Sequence, residues 1–449
     1  MMSEATSFQK QSKASPEIAQ RFPDLHPAFD KQAAVPEANR CLYCFDAPCT
    51  QACPTHIDVP KFIKKIASGN LAGSAKTILD ANILGESCSR ACPVQVLCEG
   101  ACVMHRYNKK PIEIGRLQRF AMDALHESGA PLPFSPGADT GQSVALIGGG
   151  PASLACAAEL RRRGIRADIY DARPLPGGLN TYGIAEYKLT LEASLREIDL
   201  LAQLGVNFNC NVMVDAAKLK ELEESYDAVF LGLGLGAIHR LGIAGEQMQG
   251  VTNALDFIAG YKSGEITSAP ERVAVVGAGN TAIDAANAAV RLGASEVHMI
   301  YRRGPEQMSA FDFEYEHAKQ EGVKFLWHVQ PVGIAGGDAV EGLELQQLES
   351  SADGSLVPKQ GTNFVLPVDL IVLAIGQSTH TDFLTHGEKV KLERGRILID
   401  RASGQTSNPK YFAGGDCTNG GREVVDAVAD GKRAGIGIAA WLEGKDANA

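Results

Sequence analysis

The chain is short of positive charge: 43 Lys and Arg stand against 53 Asp and Glu, a net charge of −10. A field of that sign repels polyanions and leaves no basic footprint for DNA or RNA. Long apolar runs are also missing. No stretch approaches the ~18 uninterrupted apolar residues of a membrane span, and the first twenty residues hold no apolar core of a secretory signal. The expected location is the cytoplasm, with no membrane and no nucleic-acid partner. The length of 449 residues allows about three domains. What the chain has in surplus is glycine, 47 residues, about one in ten against a usual ~7%. Most sit in short clusters beside Val, Ala and Ile, as where backbone approaches a ligand.

There are eleven cysteines. In a reducing compartment that number argues against disulfides and for metal or cluster ligation. Cys156, Cys210 and Cys417 are scattered and read as packing residues. The other eight, Cys41, Cys44, Cys49, Cys53, Cys88, Cys92, Cys98 and Cys102, fall in one segment. Their spacings are C-x2-C-x4-C-x3-C-P from Cys41 and C-x3-C-P-x4-C-x3-C from Cys88. Zinc could take such thiolates but has no redox function. Dense soft thiolates followed by Pro54 and Pro93 look more like two [4Fe-4S] clusters. His56 and His105, beside these groups, read as polar loop residues.

Around the cysteines the pattern is helical. Val59, Phe62, Ile63, Ile66, Leu71, Ala75, Ile78 and Leu79 recur at three and four between Asp58 and Asn82, the spacing of a helix face. A second helix is expected from Ile114 to His126, with the cysteines in loops between helices. Residues 1 to about 35 are polar and expected to be extended or loosely docked. Gly129 to Gly141 is rich in Pro and Gly and reads as a linker.

Beyond the linker short apolar strands alternate with helices, the βαβ signature of a parallel sheet. Val144-Ala-Leu-Ile-Gly-Gly-Gly-Pro-Ala-Ser153 and Val273-Ala-Val-Val-Gly-Ala-Gly-Asn-Thr-Ala282 form an internal repeat. In each, Gly-x-Gly follows a buried strand and opens a helix, so the turn is tight and backbone can meet a pyrophosphate. Asp171 ends the strand after the first copy, where a ribose-hydroxyl acceptor is expected. Near the C-terminus, Tyr411-Phe-Ala-Gly-Gly-Asp416 precedes a further helix. That string resembles the second FAD motif of two-dinucleotide-binding flavoproteins.

The resemblance implies an α/β fold with three parts: a helical iron–sulfur domain over residues 1–140, a discontinuous Rossmann-like FAD unit over 141–250 and 370–449, and an NAD(P) unit over 251–369. The FAD residues are then Gly148, Gly150, Pro151, Ala152, Ser153, Asp171, Gly178, Leu179, Lys188, Gly415 and Asp416. Those for NAD(P) are Gly277, Ala278, Gly279, Asn280, Thr281, Arg302, Arg303, Ala374, Ile375 and Gly376. Neither Gly177 to Gly183 nor Val273 to Phe325 contains a cysteine pair. Electrons are therefore expected to leave through the N-terminal cysteines, and no residue is assigned an acid–base catalytic role. The acids between Glu306 and Glu316 read as a solvated helix.

Cys41-Leu-Tyr-Cys44, Asp46-Ala-Pro-Cys49, Ala52-Cys-Pro54, Cys92-Pro93, Leu97-Cys98-Glu99 and Ile114-Gly-Arg-Leu-Gln-Arg-Phe120 together resemble the N-terminal half of dihydropyrimidine dehydrogenase, or its separate bacterial subunit. The resemblance implies that Cys41, Cys44, Cys49 and Cys102 hold one cluster and that Cys53, Cys92, Cys98 and Gln118 hold the other. Cys88 is left out, although spacing alone nominates it. It further implies an FMN-containing dihydropyrimidine dehydrogenase subunit as partner, in a heterotetramer that reduces uracil and thymine. Where that family often has Arg-Leu-Pro beside the flavin, this chain has Lys188-Leu-Thr190, which keeps the charge but not the planar fork. Arg302 and Arg303 could hold a 2′-phosphate, but Ser309 replaces a further arginine of the NADP-using relative, which points to NAD. The glutamate synthase small subunit shares the architecture. Its second cysteine group typically reads C-P-x-P-C, and it lacks the Ile-Gly-Arg-Leu-Gln-Arg string.

Overall fold

A computed structural model describes residues 7–11, 16–351, 354–384 and 390–444; parts of the leader lie outside these ranges. Where it is described, the leader is docked. It forms the helix Pro16–Arg21, buries Ile18 and Phe22, and stacks Phe22 on Tyr261 at 4.9 Å. Asp24 pairs with Arg119 at 2.7 Å. The expectation of a loose leader is corrected on these contacts, since two large apolar side chains leave water there.

The periodic stretch after Asp58 is two helices. Val59–Ala67 buries Val59, Phe62, Ile63 and Ile66, with Asp58 accepting from the Lys61 N–H at its start. Leu71–Ala81 starts afresh at Asn70, which accepts from the Gly73 N–H at 2.9 Å. Gly69, at φ +78°, makes the break. The helix Ile114–Glu127 packs beside both. Cys88 lies inside the helix Gly85–Ala91 and Cys92 caps its end, so not every cysteine is in a loop. The linker crosses without helix or strand but is tied down: Gly137 donates to the Arg161 carbonyl, and Arg162 sits 4.5 Å over the Phe134 ring.

Two five-stranded parallel sheets follow. The first runs Tyr411–Ala413, Ala228–Leu231, Ser143–Ile147, Arg166–Tyr170, Asn207–Asn209. The second runs Val251–Asn253, Leu370–Leu373, Arg272–Val276, Glu296–Tyr301, Lys324–Trp327. Each glycine repeat therefore leaves the middle strand of its sheet, where the strand order reverses and a ligand crevice opens. Leu370–Leu373 pairs directly with Arg272–Val276, so the second unit runs past residue 369 and the expected boundary there is corrected. An antiparallel flap, Val329–Gly336, Val340–Ser350, Leu356–Pro358 and Phe364–Pro367, covers one face of the second sheet.

One continuous core joins the helical part to the first sheet, from Phe62, Ile63 and Leu117 through Leu154 to Phe230 and Phe412. Among the described residues no helix is long and apolar enough to cross a membrane.

Candidate functional site

At the end of Ser143–Ile147 the chain turns at Gly148, with φ +91°; a Cβ there would lie 2.4 Å from the Gly232 carbonyl oxygen. The Gly149 N–H donates to Asp171 at 2.6 Å, and the Arg173 N–H to the other carboxylate oxygen at 2.7 Å. The acid at the end of the neighbouring strand thus pins the turn. Burial pushes its carboxyl up from the ordinary value, against those two hydrogen bonds. The helix Pro151–Arg162 starts at Gly150 with no side-chain cap, so its first N–H groups remain for a ligand.

Two further segments close around that helix end. Gly178 approaches so closely that a Cβ would stand 2.8 Å from the Gly150 Cα, with Leu179 at the rim. Gly415, at φ +76°, faces Ala152, and Asp416 accepts from the Arg422 N–H at 3.1 Å. Burial raises the Asp416 carboxyl. The Asn180 Oδ1, beside the Gly177–Gly178 turn, is buried without a partner. A cradle stripped of side chains, an uncapped helix end, a ribose-side acid and an orphaned acceptor fit a dinucleotide. Ser153 faces inward: its Oγ would meet a Cβ on Gly232 at 2.1 Å. It packs the helix on the strand.

The second unit repeats the device. Gly277 has φ +135°, and a Cβ would lie 2.3 Å from the Ala374 carbonyl oxygen. The helix Asn280–Arg291 begins uncapped at Gly279, followed by Thr281. Ala278 accepts from the Ala310 N–H, and the Asn280 side chain accepts from the Phe311 N–H at 3.1 Å, fixing the loop before Asp312–Gln320. Ile375 leads to Gly376, whose carbonyl accepts from the His239 N–H at 3.0 Å. That places a residue no sequence signal nominated at the rim. Arg302 and Arg303 are exposed, and Ser309 lies against Gly279.

Lys188 reaches the second unit. Its buried Nζ bridges Asp284 and Glu314 of the second unit, at 2.7 Å each. Tyr187 donates to the same Asp284 at 2.8 Å. A buried ammonium requires such partners; Lys188 also acts on Glu423, which opens the helix behind the Asp416 loop. The solvated reading of Glu306 to Glu316 fails at Glu314, which is buried; burial foremost raises its carboxyl to about 7.

The thiols form two adjoining groups. Cys41, Cys44, Cys49 and Cys102 line one cavity, walled by Val59, Ile63, Met104, Ile112 and Ile114. Burial pushes Cys41 up and Cys49 up to about 12. Cys92 and Cys98 lie beside Cys53. A hydrogen bond with Cys88, then burial, drives Cys92 far up; burial does so for Cys98, which also feels Cys49. Gln118 is buried against this second group's helix, donating to the Gly85 carbonyl at 2.7 Å. Glu99, next to Cys98, accepts from the Gly115 N–H at 3.0 Å, and burial raises it to about 7.

Among the described residues no three His, Cys, Asp or Glu side chains converge on a single metal ion. Four thiols around one cavity suit a cluster larger than an ion. The soft donor set fits iron–sulfur ligation.

Residues 18–130 match the family described as dihydropyrimidine dehydrogenase domain II, 4Fe-4S cluster. Residues 142–431 match the pyridine nucleotide-disulphide oxidoreductases. The chain is 36% identical over 445 residues to the glutamate synthase [NADPH] small chain of Escherichia coli, covering 94% of both. It is 34% identical over 424 residues to the NAD-dependent dihydropyrimidine dehydrogenase subunit PreT of the same organism, covering 94% of this chain and 97% of that one. In fold it is similar to the thioredoxin reductase of T. acidophilum, with a TM-score of 0.54 at 21% identity over 67% of this chain and 99% of that one. The chain therefore belongs to the pyridine nucleotide-disulphide oxidoreductase family, as an oxidoreductase with a dinucleotide-binding α/β fold behind an N-terminal 4Fe-4S domain.

Proposed function

We propose that the chain is the electron-input subunit of a dihydropyrimidine dehydrogenase, taking reducing equivalents from NAD(P)H and delivering them singly to an FMN-containing partner that reduces uracil or thymine. When bound, FAD in the first unit and two [4Fe-4S] clusters at the thiols would supply hydride acceptance and one-electron transfer.

The chain's own residues do the holding. The turns at Gly148 and Gly277, with the uncapped helices behind them, bind the two pyrophosphates. Asp171 and Asp416 take ribose and ribityl hydroxyls. Cys41, Cys44, Cys49 and Cys102 ligate one cluster, and Cys53, Cys92, Cys98 and Gln118 the other. The missing arginine at Ser309 supports NAD.

The observation that carries the reading is the one core shared by the thiol-bearing helices and the first sheet of a two-dinucleotide body that has no cysteine pair in Gly177 to Gly183 or Val273 to Phe325. Electrons then have one route out. Leu42, which lines the first thiol cavity, and Phe45, next to Cys44 in the chain, stand exposed, an apolar rim suited to a partner subunit.

A second reading, the small subunit of a glutamate synthase, is favoured by the 36% identity to that chain. Purification from native extract with the chain tagged separates the two. The expected result is co-purification of an FMN-bearing subunit and uracil-dependent NADH oxidation, with no uracil turnover by the chain alone. A very large glutaminase-containing partner and glutamine-dependent glutamate formation would establish the second reading instead.

A further inference from the structure

We infer that Glu197 is a positioning residue for the second thiol group, clamping the helix that presents Cys92 onto the first dinucleotide-binding unit. The inference rests on the reading that these thiols hold a cluster.

Glu197 lies on the helix Leu191–Gln203 of the first unit and is 1% exposed. Its Oε1 accepts from the Glu86 N–H at 2.8 Å; its Oε2 accepts from the Ser87 N–H at 3.2 Å and from the Ser87 hydroxyl at 2.5 Å. These donors open the helix Gly85–Ala91, whose own N-cap residue, Leu84, offers no side-chain acceptor. The start of this helix is therefore capped from another part of the fold.

At the opposite end sits Cys92, its N–H on the Cys88 carbonyl at 3.2 Å. On the flank, the Gly85 carbonyl takes the Gln118 amide. Seven residues of helix span only ~10 Å. A displacement at the Glu197 end is thus passed to Cys92 and Gln118 together. Rotation is blocked as well, because Glu86 is fully buried among Arg90, Arg196 and His126, the last at 2.5 Å. Groups that orient metal ligands without touching the metal set both its retention and its potential.

The test uses the full chain purified anaerobically. It reads iron, acid-labile sulfide, the EPR spectrum after dithionite reduction and the midpoint potential of each cluster. Glu197→Leu keeps the volume but leaves three donors without an acceptor. It is expected to lose about half of the iron and sulfide and the second cluster's signal, with the first cluster's signal intact. Glu197→Gln, which restores an acceptor, is expected to recover most of that signal with a shifted potential. Ser87→Ala, removing one donor, is expected to shift the second potential alone.

Wild-type content, spectra and potentials in all three variants would overturn the inference, as would equal loss of both clusters in a soluble, folded Glu197→Leu protein. If Glu197→Leu does not fold, the other two variants decide: a shift confined to the second cluster supports it, and unshifted potentials refute it. Wild-type protein without iron and sulfide would instead overturn the cluster reading beneath it.

Discussion

The first thiol group is lodged in a wall of Val59, Ile63, Met104, Ile112 and Ile114, whereas Cys92 of the second caps a helix fixed by the buried carboxyl groups of Glu86 and Glu197 and the guanidinium groups of Arg90 and Arg196. The two adjoin, since Cys49 and Cys53 both act on Cys98. The apolar wall belongs to the core that runs on into the first sheet, so it forms by generic burial. The ionic seat is directional, and each of its members is expensive to leave unpaired. Adjacent thiol groups in one small domain can thus be held by packing on one side and by charge on the other. The second arrangement ties one group specifically to the neighbouring unit.

The largest test of that contrast is Glu86→Leu. It leaves the buried Arg90 and His126 side chains and the half-buried Arg196 without their shared partner, Asp123 remaining as the ion-pair partner of the two arginines among the described residues, and breaking a buried pair of this kind costs roughly 3–5 kcal/mol. A drop of that size in the urea-unfolding free energy is expected. A change below about 1 kcal/mol would mean that water reaches the seat. On the apolar side, Ile63→Ala removes a fully buried wall residue of the first cavity and is expected to cost about 3 kcal/mol. Unlike the Glu86 variant, its effect should be insensitive to salt, because no charge is involved. Equal salt dependence of the two variants would erase the distinction.

The ionic seat also has a pH signature. Burial would push Glu86 up, but His126, Arg90 and Arg196 outweigh it and hold its carboxyl at about 2. Its stabilisation is present above the unfolded value of 4.5 and is lost as pH falls toward 2. Burial, helped by the charge of Glu86, raises Glu197 to about 8. The folded state then keeps a proton that the unfolded chain releases, so stability falls as pH rises from 4.5 to about 8. Glu314, raised to about 7, slopes the same way. Glu197→Gln should flatten part of the decline in urea midpoint between pH 5 and 8. An unchanged slope would show that Glu197 titrates normally.

How far the sequence carried this picture follows the same division. Local periodicity placed Val59, Phe62, Ile63 and Ile66 on a buried face, and the glycine repeats fell at the centre of two sheets with matching strand order. Both signals are written within a dozen residues. The break at Gly69 was not legible, because the apolar spacing continues across it.

Pairing between distant charges was not legible either. Glu197 meets donors 110 residues away and Lys188 an acid 126 residues away, and no period encodes such a meeting. Glu314 therefore looked like any acid on a helix, and the ion pairs of Lys188 had no local signal. The docked leader hides for a related reason: Ile18 and Phe22 are isolated apolar residues in a polar stretch, and only Tyr261 and its neighbours explain them.

The smallest expected effect on stability comes from the rim of the first group, where the contrast should vanish. Phe45 is fully exposed, so Phe45→Ser removes no buried area in the isolated chain. Its unfolding midpoint should move by less than about 0.5 kcal/mol equivalent, and its iron and sulfide should match the wild type. If the rim receives a partner, the same substitution should weaken retention of the FMN-bearing subunit on a tagged column and slow NADH-driven reduction of that subunit. NADH reduction of ferricyanide by the chain alone should stay unchanged. On the proposed reading, the partner's surface would cover this side chain in the assembly. Full retention of the partner by the variant would remove Phe45 from that interface and put the exit elsewhere on the domain.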